Sequence, residues 1–200
     1  MPSVLAVSTA LTALIAAPLA LVWAPTPSAE RALGAGRAWS EVVASTQGAG
    51  VIHGAIDIAA PPKLVWRVMN DCQAAQRMII TLTSCKTLDG DIRQGWDVRE
   101  QITRGNLFVP TIRNVVRNDY HPYTLIHFHR IGGDLKIEEG EWRLEPLSGG
   151  AGTRVIYVNR VAADVVAPAF LVRAGMKADT AKVLANLRRE SLATAARGGG

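Results

Sequence analysis

The sequence predicts an α+β fold: a seven-stranded antiparallel sheet with two short helices, closing around a long C-terminal helix and leaving a cavity between sheet and helix. Four stretches of the 200-residue chain carry this prediction. Gly140-Glu-Trp142-Arg-Leu144-Glu-Pro146 and Gly152-Thr153-Arg154-Val155-Ile156-Tyr157 read as two alternating strands joined by a Gly/Pro/Ser turn. Pro168 to about Leu192 follows as one amphipathic helix. Ala60-Pro61-Pro62, ahead of Leu64, Val65, Trp66, Val68 and Met69, reads as a helix start with apolar residues at helical spacing.

The elements follow in order. Residues 1–29 contain no Asp, Glu, Lys or Arg, and Leu5 to Trp23 is apolar apart from Ser8, Thr9 and Thr12. Such a run is either a secretory signal peptide or an N-terminal membrane anchor. Its length of about nineteen residues just suffices to cross a bilayer, while Pro18 and the Ala/Thr content favour a cleaved signal. Either reading places the folded part outside the cytoplasm, in the periplasm or membrane-anchored and facing outward. Residues 30–49, with Trp39 and a Gly/Ala/Ser/Thr-rich end, read as a short helix and linker.

The main domain is expected over residues 50–193, with 194–200 a flexible tail. Val51 to Ile58 alternates as its first strand. Asp71 can cap a second short helix through Met78, and Ile79 to Leu88 is extended. Asp89-Gly90-Asp91 reads as a turn, after which Trp96, Val98, Glu100 and Ile102 share one strand face. Phe108 to Val116 and Tyr123 to Ile131 are the next strands; Gly132-Gly133-Asp134 turns the chain into Leu135 to Leu147.

This order, together with Ala60-Pro61-Pro62-x-x-Val65-Trp66, Gly-x-Trp-x-Leu-x-Pro at 140–146 and Gly-Thr-Arg-Val-x-Tyr at 152–157, resembles the START-like (SRPBCC) helix-grip superfamily. The likeness is greatest to its polyketide cyclase/lipid transport and coenzyme Q-binding Coq10-type branch. The resemblance implies a deep, mostly apolar cavity between sheet and terminal helix, holding a lipid, isoprenoid, sterol or polyketide. No catalytic set is shared across the superfamily, so no catalytic residue and no cofactor are assigned.

Candidate cavity residues are Trp96, Val98, Glu100, Phe128, Trp142 and Tyr157 on strands, and Phe170, Leu171, Met176, Val183 and Leu187 on the terminal helix. Glu100 interrupts an apolar face, where a buried carboxylate needs a partner. Either it holds a ligand's polar end with an arginine, or it lies on a wet face. Pro168 and Gly175 mark points where the start of the helix could open as a gate.

Cys72 and Cys85, the only two cysteines, can form a disulfide if the compartment is oxidising and are buried thiols otherwise. If Gly132-Gly133 forms a two-residue turn, His127 faces Glu138 and His129 faces Lys136; the lysine would repel a cation, and no metal site is assigned.

The net charge of +5 is spread along the chain, without a run of five Lys/Arg or an aromatic-interleaved basic stripe, which argues against nucleic acid. It suits contact with an anionic membrane surface. No nucleophile elbow or phosphate-cradling glycine loop is present, so hydrolase and nucleotide-binding readings lack support. Two functions remain: binding and transfer of a hydrophobic small molecule in the cell envelope, or a cyclase/aromatase-type reaction in the same cavity. Nothing in the sequence specifies an oligomeric state.

Overall fold

A computed structural model describes residues 23–45, 49–105, 110–163 and 167–198. The expected signal or anchor lies, up to residue 22, outside the described residues, as do Phe108 and Val109 of an expected strand. Among the described residues no helix is long and apolar enough to cross a membrane.

The chain begins with α1 (Pro27–Gly34), where the Thr26 hydroxyl accepts from the Ala29 amide and a proline occupies the first turn. Next come β1 (Trp39–Ala44), β2 (Gly50–Ile58), α2 (Pro62–Met69) and α3 (Cys72–Met78). Six strands follow in succession: β3 (Leu82–Asp91), β4 (Trp96–Thr103), β5 (Ile112–His121), β6 (Leu125–Gly133), β7 (Ile137–Leu147) and β8 (Gly152–Ala162). The last element is α4 (Ala169–Gly198).

All strands join one antiparallel sheet in the order β1-β2-β8-β7-β6-β5-β4-β3. It has eight strands rather than the expected seven. The extra strand is β1, formed where a linker was expected, and it pairs Trp39 with Ala55 through Ala44 with Gly50. The terminal helix also runs further than expected, through residues assigned to a flexible tail.

Most neighbours in the sheet are neighbours in sequence; the exception is β2 with β8, which closes the two ends of the domain onto each other. α4 lies across the concave side, against β1, β2, α2 and α3. Its Thr180, Leu184, Leu187 and Ser191, spaced by three and four residues, make one buried stripe. Leu184 and Leu187 join Ile56, Ile58, Val65 and Val155 in the main core. Burying one such leucine stabilises the fold by about 2–3 kcal/mol.

α1 covers part of the opposite, convex face, with Ala29, Ala32 and Leu33 buried. Arg154 of β8 fastens it there, pairing with Glu30 at 2.6 Å and with Asp57 of β2 at 2.8 Å. Asp71 caps α3 as expected, accepting from the Gln73 amide at 2.8 Å. Cys72 at the start of α3 is disulfide-bonded to Cys85 of β3, with 5.4 Å between their Cα atoms. Closing a loop of this size constrains the unfolded chain by about 3 kcal/mol in the chain-entropy account.

Two expected turns are strand instead. Asp89-Gly90-Asp91 lies inside β3, and the chain reverses later through Ile92–Gln94 and Gly95. Gly90 has a φ of +70°, and a Cβ there would sit 2.7 Å from the Trp96 carbonyl oxygen, so the glycine allows β3 to approach Trp96 closely, just after the register shift between Thr87 and Asp89.

Gly132-Gly133 does not turn either; it pairs with Val115 and Asn114 of β5. A Cβ on Gly133 would lie 2.3 Å from the Arg113 carbonyl oxygen, while Asp134 exchanges hydrogen bonds with the Arg113 backbone. The reversal is therefore longer, and β6 and β7 pair His127 with Glu141 and His129 with Glu139. That replaces the expected opposition to Glu138 and Lys136, and Glu138 falls on the other face of the sheet.

Candidate functional site: a two-chamber cavity under the terminal helix

The pleat decides which side chains enter the space between sheet and α4. On β5, Asn114, Val116, Asn118 and Tyr120 point inward; the register places Gln101, Arg99 and Asp97 of β4 beside the first three of these, facing the same way. Ile126 and Phe128 of β6, Glu138 and Trp142 of β7, and Tyr157 and Asn159 of β8 complete the concave wall.

Two adjacent spaces result. The inner chamber, about 150 Å³, has a wall of polar strand residues, with Met69 and Met78 from the short helices and Leu187 from α4. The outer vestibule, about 640 Å³, is mainly apolar and is bounded by Ile52, Leu135 and Val161 of the sheet region and by Leu171, Val172 and Met176 of α4. Trp142, Tyr157 and Val183 line both spaces, and this shared boundary is the neck between them. The Trp142 and Tyr157 rings stack with centroids 4.1 Å apart. Such stacking fixes ring orientation beyond what area burial alone supplies.

Polar groups in the inner chamber are tied to one another. The Asp97 carboxylate accepts from Arg99 at 2.7 Å and from the Asn118 amide at 2.7 Å, and Arg99 also donates to the Tyr120 hydroxyl at 3.2 Å. Burial, ahead of every other influence, pushes the Tyr120 phenol upward and keeps it neutral. A second set surrounds Glu138. The Asn114 amide donates to its carboxylate, while the neighbouring Asn159 amide donates to the Tyr157 hydroxyl at 2.8 Å.

Burial raises Glu138 from the ordinary carboxylate range to about 7, against the opposing effects of the two amides and of Arg130. Burial and the nearby Glu138 likewise push the Tyr157 phenol upward.

The expected cavity residues separate into three groups. Trp142, Tyr157 and Val183 stand at the neck, Phe128 and Leu187 line the inner chamber, and Leu171 and Met176 line the vestibule. Phe170 points outward, with 63% of its surface exposed.

Trp96, Val98 and Glu100 lie on the convex face, so their expected place in the cavity is corrected. There the Arg117 guanidinium covers the Trp96 ring at 4.5 Å, and Glu100 pairs with Arg113 at 2.6 Å. The face of β4 that looks apolar in the sequence is the solvent face, because its polar alternate, Asp97, Arg99 and Gln101, lines a polar chamber. The repeat Asn114-x-Val116-x-Asn118-x-Tyr120 was the available clue that one face of the sheet buries polar groups.

The convex face also holds His127, 3.8 Å from the Glu141 carboxylate, which Arg143 approaches to 2.8 Å. Among the described residues no group of three or more His, Cys, Asp or Glu side chains is arranged to hold a metal ion. A separate hollow of about 720 Å³ lies beside α2, with Leu64, Trp66 and Tyr123 as apolar surface and Lys63, Arg67 and Arg93 as cations. Asn70 borders both this hollow and the inner chamber.

Comparison with known proteins agrees with this architecture. The family model for polyketide cyclase/dehydrase and lipid transport matches residues 58–188. Among solved structures, the Thermus thermophilus protein TTHA0849 superposes with a TM-score of 0.61 at 18% identity, covering 72% of this chain and 98% of its own. The STAR-related lipid transfer protein of Xanthomonas axonopodis gives 0.60 at 13% identity, covering 76% and 98%. The Zhui aromatase/cyclase of Streptomyces sp. R1128 gives 0.58 at 17% identity, covering 72% and 93%. At these identities the likeness is one of fold, the START-like helix-grip fold. No curated protein matches the sequence.

Proposed function

The chain belongs to the polyketide cyclase/dehydrase and lipid transport family, and on that premise we propose that it binds a hydrophobic small molecule, such as a lipid, isoprenoid/quinone or sterol-like compound, and transfers it within the cell envelope. One observation carries this reading: an apolar vestibule of about 640 Å³ lies against a small, partly polar chamber, with Trp142 and Tyr157 lining both. That shape suits an amphipathic molecule whose body fills the vestibule and whose single polar end enters the chamber. The vestibule volume is also in the range of about 300–1,000 Å³ usual for small-molecule sites.

Placement in the envelope is supported by the uncharged, apolar sequence of residues 1–29 and by the Cys72–Cys85 disulfide. Contact with an anionic membrane surface is supported by Lys63, Arg67 and Arg93 around the apolar hollow beside α2. The vestibule's α4 wall includes Gly175, where an added Cβ meets nothing within 4 Å. Gly175→Ala therefore stiffens the gate without a clash, and slower ligand exchange is expected.

The test is native mass spectrometry of the protein purified from its natural envelope, followed by extraction and identification of what co-purifies. A stoichiometric lipid or isoprenoid supports the carrier reading and names the cargo. Empty protein that also takes up no lipid from vesicles overturns it.

A second reading, a cyclase/aromatase-type reaction, is favoured by the placement of Glu138 at the inner chamber with a carboxyl raised to about 7, where it can give or take a proton near neutrality. Incubation with a linear polyketone and analysis for a cyclised product distinguishes it from simple binding.

A further inference from the structure

We propose that Glu138 selects the polar end of the ligand, accepting a hydrogen-bond donor, hydroxyl or ammonium, and turning away carboxylate and phosphate ends. This rests on the carrier reading and specifies the chemistry of the same cavity.

Geometry supports it from three strands. Glu138 on β7 lines the inner chamber next to the neck residues Trp142 and Tyr157. Asn114 on β5 donates its amide to that carboxylate, and Asn159 on β8, a neighbour that acts on the same carboxyl, donates its amide to the Tyr157 hydroxyl. Both residues are themselves buried, and both are left with a side-chain carbonyl oxygen that has no hydrogen-bond partner. The Asn114 amide is thus spent on the Glu138 carboxylate and the Asn159 amide on the Tyr157 hydroxyl, which leaves two amide carbonyl oxygens as acceptors on this wall. A ligand carboxylate or phosphate brought here adds a negative charge beside a carboxylate and two amide carbonyls. A hydroxyl or ammonium instead supplies the missing donor.

The cations of the region do not reverse this. Arg99, in the same chamber, is held by the Asp97 carboxylate and the Tyr120 hydroxyl. Arg130 of β6 donates to the Gly133 carbonyl oxygen at 2.8 Å, and its charge acts on the Glu138 carboxylate, which offsets it; the Nε atoms of Arg99 and Arg130 have no hydrogen-bond partner. The other ionisable neighbour is Tyr157 of β8, a neutral phenol engaged by Asn159. Since burial raises Glu138 to about 7, mildly alkaline solution keeps it ionised and makes selection strongest.

Dodecanol, dodecylamine and dodecanoate share one chain length and differ in the polar end; each is titrated against a fluorescent lipid bound to the protein at about pH 8. Dodecanol and dodecylamine should bind at least about tenfold tighter than dodecanoate, the difference expected of one charge-assisted hydrogen bond. In Glu138→Gln, dodecylamine should lose about tenfold and dodecanoate should gain, with dodecanol nearly unmoved. Glu138→Asp keeps the charge and should keep the ranking, a rescue that a merely structural role would not produce. A drop for the amine with dodecanol unmoved, whose hydroxyl the Gln carbonyl oxygen still accepts, identifies the charge of Glu138 as the selecting feature; an equal drop for the alcohol shows that the carboxylate itself is needed for both ends. An identical ranking in the natural protein and a folded Glu138→Gln variant overturns the inference while leaving the carrier reading intact. Failure of every probe, including the fluorescent lipid, overturns both.

Discussion

The two ends of the sheet are built from the same alternation and do opposite things with it. Around β2 and β8 both faces are covered. Ile56 and Val155 meet the helices on the concave side, and Ile156 and Val158 are sealed on the convex side. Around β4 and β5 the concave face carries Asp97, Arg99, Asn114 and Asn118, and the convex face carries Glu100, Arg113 and Arg117. Where Ile56 meets Val155 the interior is a solid apolar core, whereas beneath β4 and β5 it is a hollow with a polar lining; the apolar vestibule lies at the other end of β2 and β8, beside Ile52 and Val161. The solid end holds α4 in place, and this leaves space beneath the helix where the other end does not fill in.

Buried polar groups and buried apolar groups should fail differently when cut. Asp97→Ala leaves the Arg99 guanidinium and the Asn118 amide without their shared acceptor in a buried setting. Removing one partner of such a pair is expected to destabilise the protein by about 3–5 kcal/mol, measured by urea unfolding. Leu184→Ala, at the solid end, removes a fully buried side chain of the α4 stripe and should cost about 2–5 kcal/mol by transfer and cavity terms together. The two should also differ in ligand uptake. Asp97→Ala loosens the inner chamber directly, whereas Leu184→Ala acts only through the seating of the helix.

Glu138 allows the comparison to be made by pH alone. Its carboxyl is raised from 4.5 to about 7 in the folded protein, mainly by burial. Above about pH 7 the folded chain therefore holds a poorly solvated charge, a penalty that disappears once both folded and unfolded states are protonated, below about 4.5. The ligand-free protein should thus gain stability from this group as pH falls through that window. At about 1.4 kcal/mol per pKa unit, Glu138→Gln should be more stable than the natural protein by roughly 1–3 kcal/mol near pH 8, and indistinguishable near pH 4.5. Thermal melts of the two proteins across this range check it; a constant difference would place the effect in packing and not in charge.

The same contrast explains what could be read in the sequence. The solid end was legible. Prolines at 61 and 62 start α2, Asp71 caps α3, and the alternating segments ending in Tyr157 are β7 and β8. The stripe through Thr180, Leu184 and Leu187 marks the inner side of α4. The hollow end was legible only in part, because the rule that apolar residues face inward reverses on β4. That rule turns Trp96 and Val98 inward and passes over Asp97 and Arg99. Glycine chemistry misleads in two places. Gly90 and Gly133 have the positive φ associated with turns, yet both serve close approach to a neighbouring strand. β1 escapes notice because Trp39–Ala44 is short and its alternation weak beside the Gly/Ala/Ser/Thr-rich segment after it.

The smallest expected effect is the sharpest test of which face of β4 matters. Glu100 and Asp97 are acidic residues on the same strand, each with an arginine at hydrogen-bonding distance. They differ in which way the pleat turns them. Arg113, the partner of Glu100, has 49% of its side-chain surface exposed, so water competes for both charges; exposed pairs of this kind are worth about 1 kcal/mol or less. Glu100→Gln should therefore shift unfolding by less than about 1 kcal/mol and leave lipid uptake unchanged, against the several kcal/mol and altered uptake expected at Asp97. Equal losses at the two positions, measured side by side, would mean that the convex face of β4 also meets the ligand.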